Sequence, residues 1–359
     1  MAALHELAPV TGPVEHHLGG RHSAPDVAAH RAAPPSAWVP VPVCTPSCLP
    51  AEEPGVGALR FASRLGGLVV VLVAAVVGVT ALRGGARERW LRACASGALR
   101  AAGVRLDVTG GPSRRRVDGA GGGPGFRDMR AARRGTRRRE KGDSRAGNGG
   151  LADGERGTRG GGVLVVANHL SWIDVLALYA TWPMRLQAKH EVRAWPVIGS
   201  LASRTGALFV DRAGLRDLPR TVAGTADALR AGGTVGVFPE GTTWCGAAAG
   251  TFRRAAFQAA IDARVPVRPV AFTLRLAGGE ATAAGAFVGD QTLWDSLRRV
   301  LRLPGLTCGM TVLADIDPAD RDRRGLAAAA ATAVGAVTGT PHPGAVGHRS
   351  AGRPVPVAA

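Results

Sequence analysis

Residues 163–180 read VLVVANHLSWIDVLALYA. Val163–Ala167 is a β-branched run of strand length, and from Trp172 to Ala180 the apolar residues follow helical spacing. A strand that runs into a helix within a few residues is the repeating unit of an α/β sheet. In such sheets ligands bind at the carboxyl ends of the strands. Outward from this unit the alternation continues. Arg185–Ala188 reads as a strand, the region around Val197–Ser203 as a helix, Ala207–Val210 as a strand and Leu215–Ala231 as a helix. Thr234–Phe238 reads as a strand and Phe252–Ala263 as a helix. Strands near Val265–Leu274, Ala286–Val288 and Thr311–Asp315 follow, and a last helix runs through about Thr338. The pattern predicts an α/β domain over 161–338: three layers, with a mostly parallel sheet flanked by helices.

What precedes that domain is different in texture. Residues 1–58 are rich in Pro, Ala and His without periodicity and are expected to be a disordered arm with no secretory signal. Leu65–Leu82 is an uncharged apolar run bounded by Arg64 and Arg83, close to the roughly 17–25 residues a spanning helix needs. It is read as an N-terminal membrane helix. Arginines outnumber acids six to two over 83–110 but not over 1–64, so a spanning helix would leave the C-terminal side in the cytoplasm. Leu91, Cys94, Ala95, Ala98, Leu99 and Ala102 then fall on one face of an amphipathic helix, which either lies on an anionic membrane surface or packs on the globular domain; it completes the segment over 59–110.

Residues 111–160 hold 14 Arg and Lys, six acids and 14 Gly, with almost nothing apolar to bury, and are expected to be a flexible basic loop. The net charge of +18 points toward anionic partners. Arginine number is discounted, because the chain has only two lysines and abundant Ala and Gly, as a GC-rich coding sequence gives. The basic loop has a single aromatic residue, Phe126, so the stacking platform of a single-strand binder is missing and no specific nucleic-acid partner is expected. Residues 339–359 are read as a disordered tail. Five cysteines do not make a disulfide scaffold. Cys44 and Cys48 lie close together, but no further ligand follows at zinc-site spacing, and all five are taken as ordinary small residues.

Four pieces carry chemistry. Asn168 and His169 follow the first strand, and Asp174 lies five residues beyond His169. Five helical residues rotate by about 140°, so the two side chains meet only if His169 is in the loop and Asp174 in the first helical turn. There the carboxylate can fix one ring nitrogen and leave the other as a base, with Ser171 as the helix N-cap. In Gly206-Ala-Leu-Phe-Val-Asp-Arg212 a guanidinium stands at a strand end, where it can grip a phosphate. Phe238-Pro-Glu-Gly-Thr-Thr243 places Glu240, Gly241 and Thr242 in a tight turn at another strand end. Val265-Pro-Val-Arg-Pro-Val270 begins a strand instead, so Pro266 would face the opposite edge of an all-parallel sheet.

In this order the four pieces resemble the 1-acyl-glycerol-3-phosphate O-acyltransferase family of glycerolipid enzymes, over about Val163 to Asp317. Lys189, in Ala-Lys-His-Glu, also sits where that family often has a lysine. The resemblance implies a membrane-bound enzyme with its catalytic domain on the cytoplasmic side. It would move an acyl group from acyl-CoA or acyl carrier protein to the hydroxyl of lysophosphatidate, without cofactor or metal. His169 and Asp174 would be catalytic. Arg212, Glu240, Gly241, Thr242, Lys189, Asn168, Gly206 and Pro266 would serve substrate binding. Thr243 stands where many members carry arginine, which leaves a lyso-aminolipid such as lyso-ornithine lipid as an alternative acceptor. A membrane-tethered binding protein using the basic loop is the alternative from another class. A hydrolase releasing fatty acid from the thioester is a third.

Overall fold

The computed structural model describes residues 44–50, 55–111, 161–211 and 217–343. Most of the expected arm and tail, the basic loop from 112 onward and Arg212 lie outside the described residues.

The strands are β1 (Val104–Gly110), β2 (Val163–Ala167), β3 (Arg185–Lys189), β4 (Leu208–Val210), β5 (Thr234–Val237), β6 (Val267–Leu276) and β7 (Leu306–Val312). They form one sheet in the order β1-β7-β6-β2-β5-β3-β4, parallel throughout except for the β6–β7 pair. The helices are α1 (Ala58–Ala81), α2 (Gly84–Ala101), α3 (Trp172–Thr181), α4 (Ile198–Arg204), α5 (Leu218–Arg230), α6 (Ala255–Ala263), α7 (Leu293–Arg302) and α8 (Arg323–Thr338). The expected three-layer, mostly parallel α/β architecture is what the chain adopts.

Central β2 shows why its sequence is apolar without alternation. Val165 and Ala167 pack with Leu99, Ile173, Leu178, Val300 and Leu301 from α2, α3 and α7. Leu164 and Val166 pack on the other face with Leu229, Phe257, Ala260 and Leu326 from α5, α6 and α8. A parallel strand covered on both sides has no solvent face to encode. Each large apolar side chain removed from water here contributes roughly 1.5–3 kcal/mol.

Several elements differ from the sequence reading. Ala286–Val288 is not a strand; it is buried loop whose backbone is occupied by neighbours, with the Phe287 N–H donating to Leu170 O at 2.8 Å. The strand expected at Thr311–Asp315 instead spans Leu306–Val312, where Leu306, Cys308, Met310 and Val312 alternate inward. β1 and α7 were not foreseen. β1 is an edge strand with mostly exposed residues, and α7 is rich in arginine, so neither has a long apolar signature. Because β1 pairs with β7, the segment before the basic loop contributes to the same sheet as the segment after it.

The apolar run belongs to α1, which begins at Ala58 and is long and apolar enough to cross a membrane. It turns at Leu82–Arg83 and returns antiparallel as α2. Gly78 makes the close approach possible, since a Cβ there would lie 2.0 Å from the Trp90 ring, while Trp90 Nε1 donates to Ala74 O at 2.8 Å. Both ends of this hairpin are fastened to the α/β domain. Buried Arg64 donates from Nη1 to Leu301 O at 2.9 Å and Leu303 O at 2.6 Å, at the carbonyl end of α7. At the other end Leu99, Ala102 and Val104 enter the core.

Candidate active site

The sheet brings several of the sequence-selected residues to one edge. His169 follows β2, the Glu240–Thr242 turn follows β5, and Lys189 ends β3; all three strands are parallel, so their carboxyl ends coincide. Arg212, two residues beyond β4, lies outside the described residues.

His169 and Asp174 meet as the loop-and-first-turn geometry required. Nδ1 of His169 lies 3.1 Å from Asp174 Oδ2. The same Oδ2 accepts the backbone N–H groups of Leu170 at 2.5 Å and Ser171 at 2.8 Å. Ser171 Oγ accepts the N–H of Ile173 at 3.1 Å, so Ser171 is the N-cap of α3 and Asp174 closes its capping box. A fully buried carboxylate held by two amides cannot rotate away from the ring. With Nδ1–H donating to Asp174, Nε2 is the unprotonated nitrogen. The imidazole stacks on Phe238 with ring centroids 3.9 Å apart, and its side chain keeps 18% of its surface open. A free ring nitrogen on a fixed, partly exposed imidazole can take a proton from a bound hydroxyl.

Residues 151–273 match the family model described as Acyltransferase. That stretch is about a third of the chain. The chain is 34% identical over 163 residues to the 1-acyl-sn-glycerol-3-phosphate acyltransferase of Neisseria gonorrhoeae, covering 45% of this chain and 64% of that protein. It is 38% identical over 172 residues to the lyso-ornithine lipid O-acyltransferase of Pseudomonas aeruginosa, covering 48% and 66%. The chain thus spans slightly less than two thirds of the length of either relative. The crystal structure of the 1-acyl-sn-glycerophosphate acyltransferase PlsC from Thermotoga maritima has the same fold. Its TM-score is 0.52 at 16% identity, over 78% of this chain and 94% of that one.

Two residues expected at the substrate, Glu240 and Asn168, hydrogen-bond the backbone. Glu240 is buried. Its Oε2 accepts the N–H of His169 at 2.6 Å and its Oε1 the N–H of Gly250 at 2.8 Å. Burial pushes its carboxyl up to about 8 despite those two amide donors. Asn168 is buried and forms a two-way clamp with β6: its Nδ2 donates to Phe272 O at 3.0 Å, and its Oδ1 accepts the Phe272 N–H at 2.7 Å. Gly241 and Thr242 remain in the turn at the site edge, with Gly241 at a φ of 78° that favours glycine.

Gly206 and Pro266 are not brought to the site. Gly206 precedes β4 and its carbonyl accepts from Arg185, at the start of β3, at 2.7 Å. Pro266 precedes β6, and its carbonyl accepts the N–H of Leu164, near the start of β2, at 3.1 Å. In parallel strands these are the amino ends, opposite His169.

The sequence reading missed His342, which lies in the segment expected to be tail. It is buried, with Nδ1 2.8 Å from Gly250 O and 3.5 Å from Glu240 Oε1, and it meets Phe252 edge-on at 4.5 Å. Burial lowers its pKa, so the ring is neutral near pH 7, with Nδ1–H donating to the carbonyl. Pro-His-Pro after an Ala-rich helix gives no periodic signal. A cavity of ≈ 210 Å³ lies between this segment and the Glu240–Thr242 turn, walled by Leu170, Glu240, Ala248 and Leu274 among others. A larger one of ≈ 550 Å³, lined by Leu99, Arg100 and Arg105, lies between α2 and β1, three strands from β2.

Proposed function

We propose that this protein transfers a fatty acyl group from a thioester, acyl-CoA or acyl carrier protein, to the free hydroxyl of a lysolipid, with lysophosphatidate as acceptor and phosphatidate as product. The observation that carries this reading is the His169–Asp174 pair, locked in the tautomer that leaves Nε2 as a base at the sheet's carboxyl edge. Nε2 takes the hydroxyl proton as the oxygen bonds to the thioester carbonyl carbon. The tetrahedral intermediate then expels the thiolate, and the imidazolium returns the proton to that sulfur. Asp174 stabilises the imidazolium in between. General-base help of this kind contributes about 10²–10⁴-fold. Arg212, supported by Lys189 and the Gly241–Thr242 turn, binds the acceptor phosphate and so places its hydroxyl.

A lyso-aminolipid acceptor is the second reading, favoured by the Pseudomonas aeruginosa relative. Thr243 adds to it: no cation stands there, and its hydroxyl donates to Phe287 O. The deciding assay offers purified enzyme lysophosphatidate and lyso-ornithine lipid in parallel with one acyl thioester. Transfer to lysophosphatidate supports the first reading. Transfer to the aminolipid alone establishes the second, and release of free fatty acid with neither acceptor would overturn both.

The α1–α2 hairpin holds the enzyme on the membrane, with the domain on the cytoplasmic side. Phe61, Leu65 and Leu68 pack on the core, so only Val69–Ala81 projects, roughly 20 Å at 1.5 Å per residue. That is short of the roughly 30 Å hydrocarbon thickness. Exposed Val69, Val70, Val73 and Val77 form one apolar face, and Arg83, Arg87 and Arg92 flank it for lipid headgroups. The hairpin therefore lies in one leaflet rather than spanning.

A further inference from the structure

Three sulfurs meet where the N-terminal segment crosses the catalytic turn. Cys44 precedes a single 3₁₀ turn, Pro46–Cys48, that ends on Cys48, and Cys245 follows Glu240 by five residues. Their Sγ atoms all lie within 4.8 Å of one another. Cys44 and Cys245 are buried with Ala286 and Val288, whereas Cys48 is exposed. The backbone N–H of Cys245 donates to Cys44 Sγ at 3.3 Å.

We propose that Cys44, Cys48 and Cys245 bind one thiophilic divalent cation of the Zn²⁺ type, leaving a fourth position for water or an outside ligand. A tetrahedral ion with Zn–S bonds of about 2.3 Å sets its sulfurs about 3.8 Å apart, so the three thiols need to close by no more than about 1 Å. Cys44 and Cys48 have three residues between them, within the two-to-four spacing of zinc-binding pairs. An all-sulfur donor set selects Zn²⁺ over Mg²⁺ or Ca²⁺. The Cys245 amide aimed at the Cys44 sulfur is an outer contact of the kind that orients ligands in such centres. Each thiol that binds releases its proton to solvent, and exposed Cys48 gives the ion its way in. The bound ion fastens residues 44–48 to the loop in which the Trp244 N–H holds the His169 carbonyl at 2.8 Å.

Titration of the full-length, reduced, metal-free protein with Co²⁺ tests this independently of the acyl-transfer reading. The expected result is one equivalent bound with sulfur-to-cobalt charge-transfer absorption in the near ultraviolet, displaced by Zn²⁺. Loss of an outer-layer partner alone weakens such sites 10–100-fold, so Cys48→Ala should weaken binding by about 100-fold or more. Cys48 is exposed, so that variant keeps its fold. Cys94→Ala should bind as wild type. Absence of the absorption, its survival in Cys48→Ala, or a Cys44–Cys245 disulfide in protein that binds no metal would each overturn the proposal.

Discussion

Glu240 Oε2 accepts the backbone N–H of His169 at 2.6 Å, so the glutamate of the Pro-Glu-Gly turn holds the loop that carries His169. Its other oxygen holds Gly250, whose carbonyl receives His342. His169 is thereby tied to β5, to the loop beyond it and to the chain after α8.

The base itself comes first. His169→Ala should reduce acyl transfer by about 10²–10⁴-fold with circular dichroism and vesicle association unchanged. Asp174→Asn keeps an oxygen for the amides of Leu170 and Ser171 but loses the charge that stabilises the imidazolium. It should lower kcat by at least about 100-fold with little change in acceptor KM. Wild-type turnover in either variant removes the general-base assignment.

Glu240 makes stability depend on pH in an unusual direction. Burial raises its folded pKa from an ordinary 4.5 to about 8, so between those values the folded state holds a proton that the unfolded state has lost. Stability from this group is therefore fully present below about 4.5 and declines as pH rises through about 8. Glu240→Gln should flatten that part of the profile in thermal melts from pH 5 to 9. An unchanged slope in the variant would show that Glu240 is ionised throughout.

His342 gives the opposite sign. Its pKa is lowered by burial, so the unfolded state takes up protons first and stability falls as pH drops below about 6.5. His342→Ala should lower kcat roughly tenfold by loosening Gly250 and Glu240, with acceptor KM nearly constant. His342→Gln, which can still donate to Gly250 O, should restore most of it. If Gln rescues nothing, the hydrogen bond is not what matters.

The hairpin prediction concerns location. Val70→Glu combined with Val73→Glu should reduce flotation with anionic vesicles by roughly tenfold or more, while transfer to detergent-dispersed acceptor persists. Equal flotation of this variant and wild type would place the membrane contact elsewhere.

Much of the fold was legible because its signals are local. Val163–Ala167, the α3 pattern and the Ser171 cap each depend on residues within one turn or strand, and the structure keeps them where the sequence put them. β1 and α7 were not legible, since an edge strand and an arginine-rich helix owe their place to partners far along the chain. The backbone contacts of Glu240 and Asn168 were not legible for a related reason: residue type announces a carboxylate or an amide, but only the packed structure decides which backbone groups it reaches.

The sequence alone determined the alternating strands and helices, the His169–Asp174 spacing and an apolar run long enough for lipid, because hydrophobic period and short-range geometry are written in consecutive residues. Tertiary structure decided which distant groups share a site. It delivered His342 to Glu240, turned α1 back along α2, and set Cys245 beside Cys44 and Cys48 across some two hundred residues. Such meetings follow from sheet order and chain crossing, which depend on how all the layers pack at once and leave no mark at any single position.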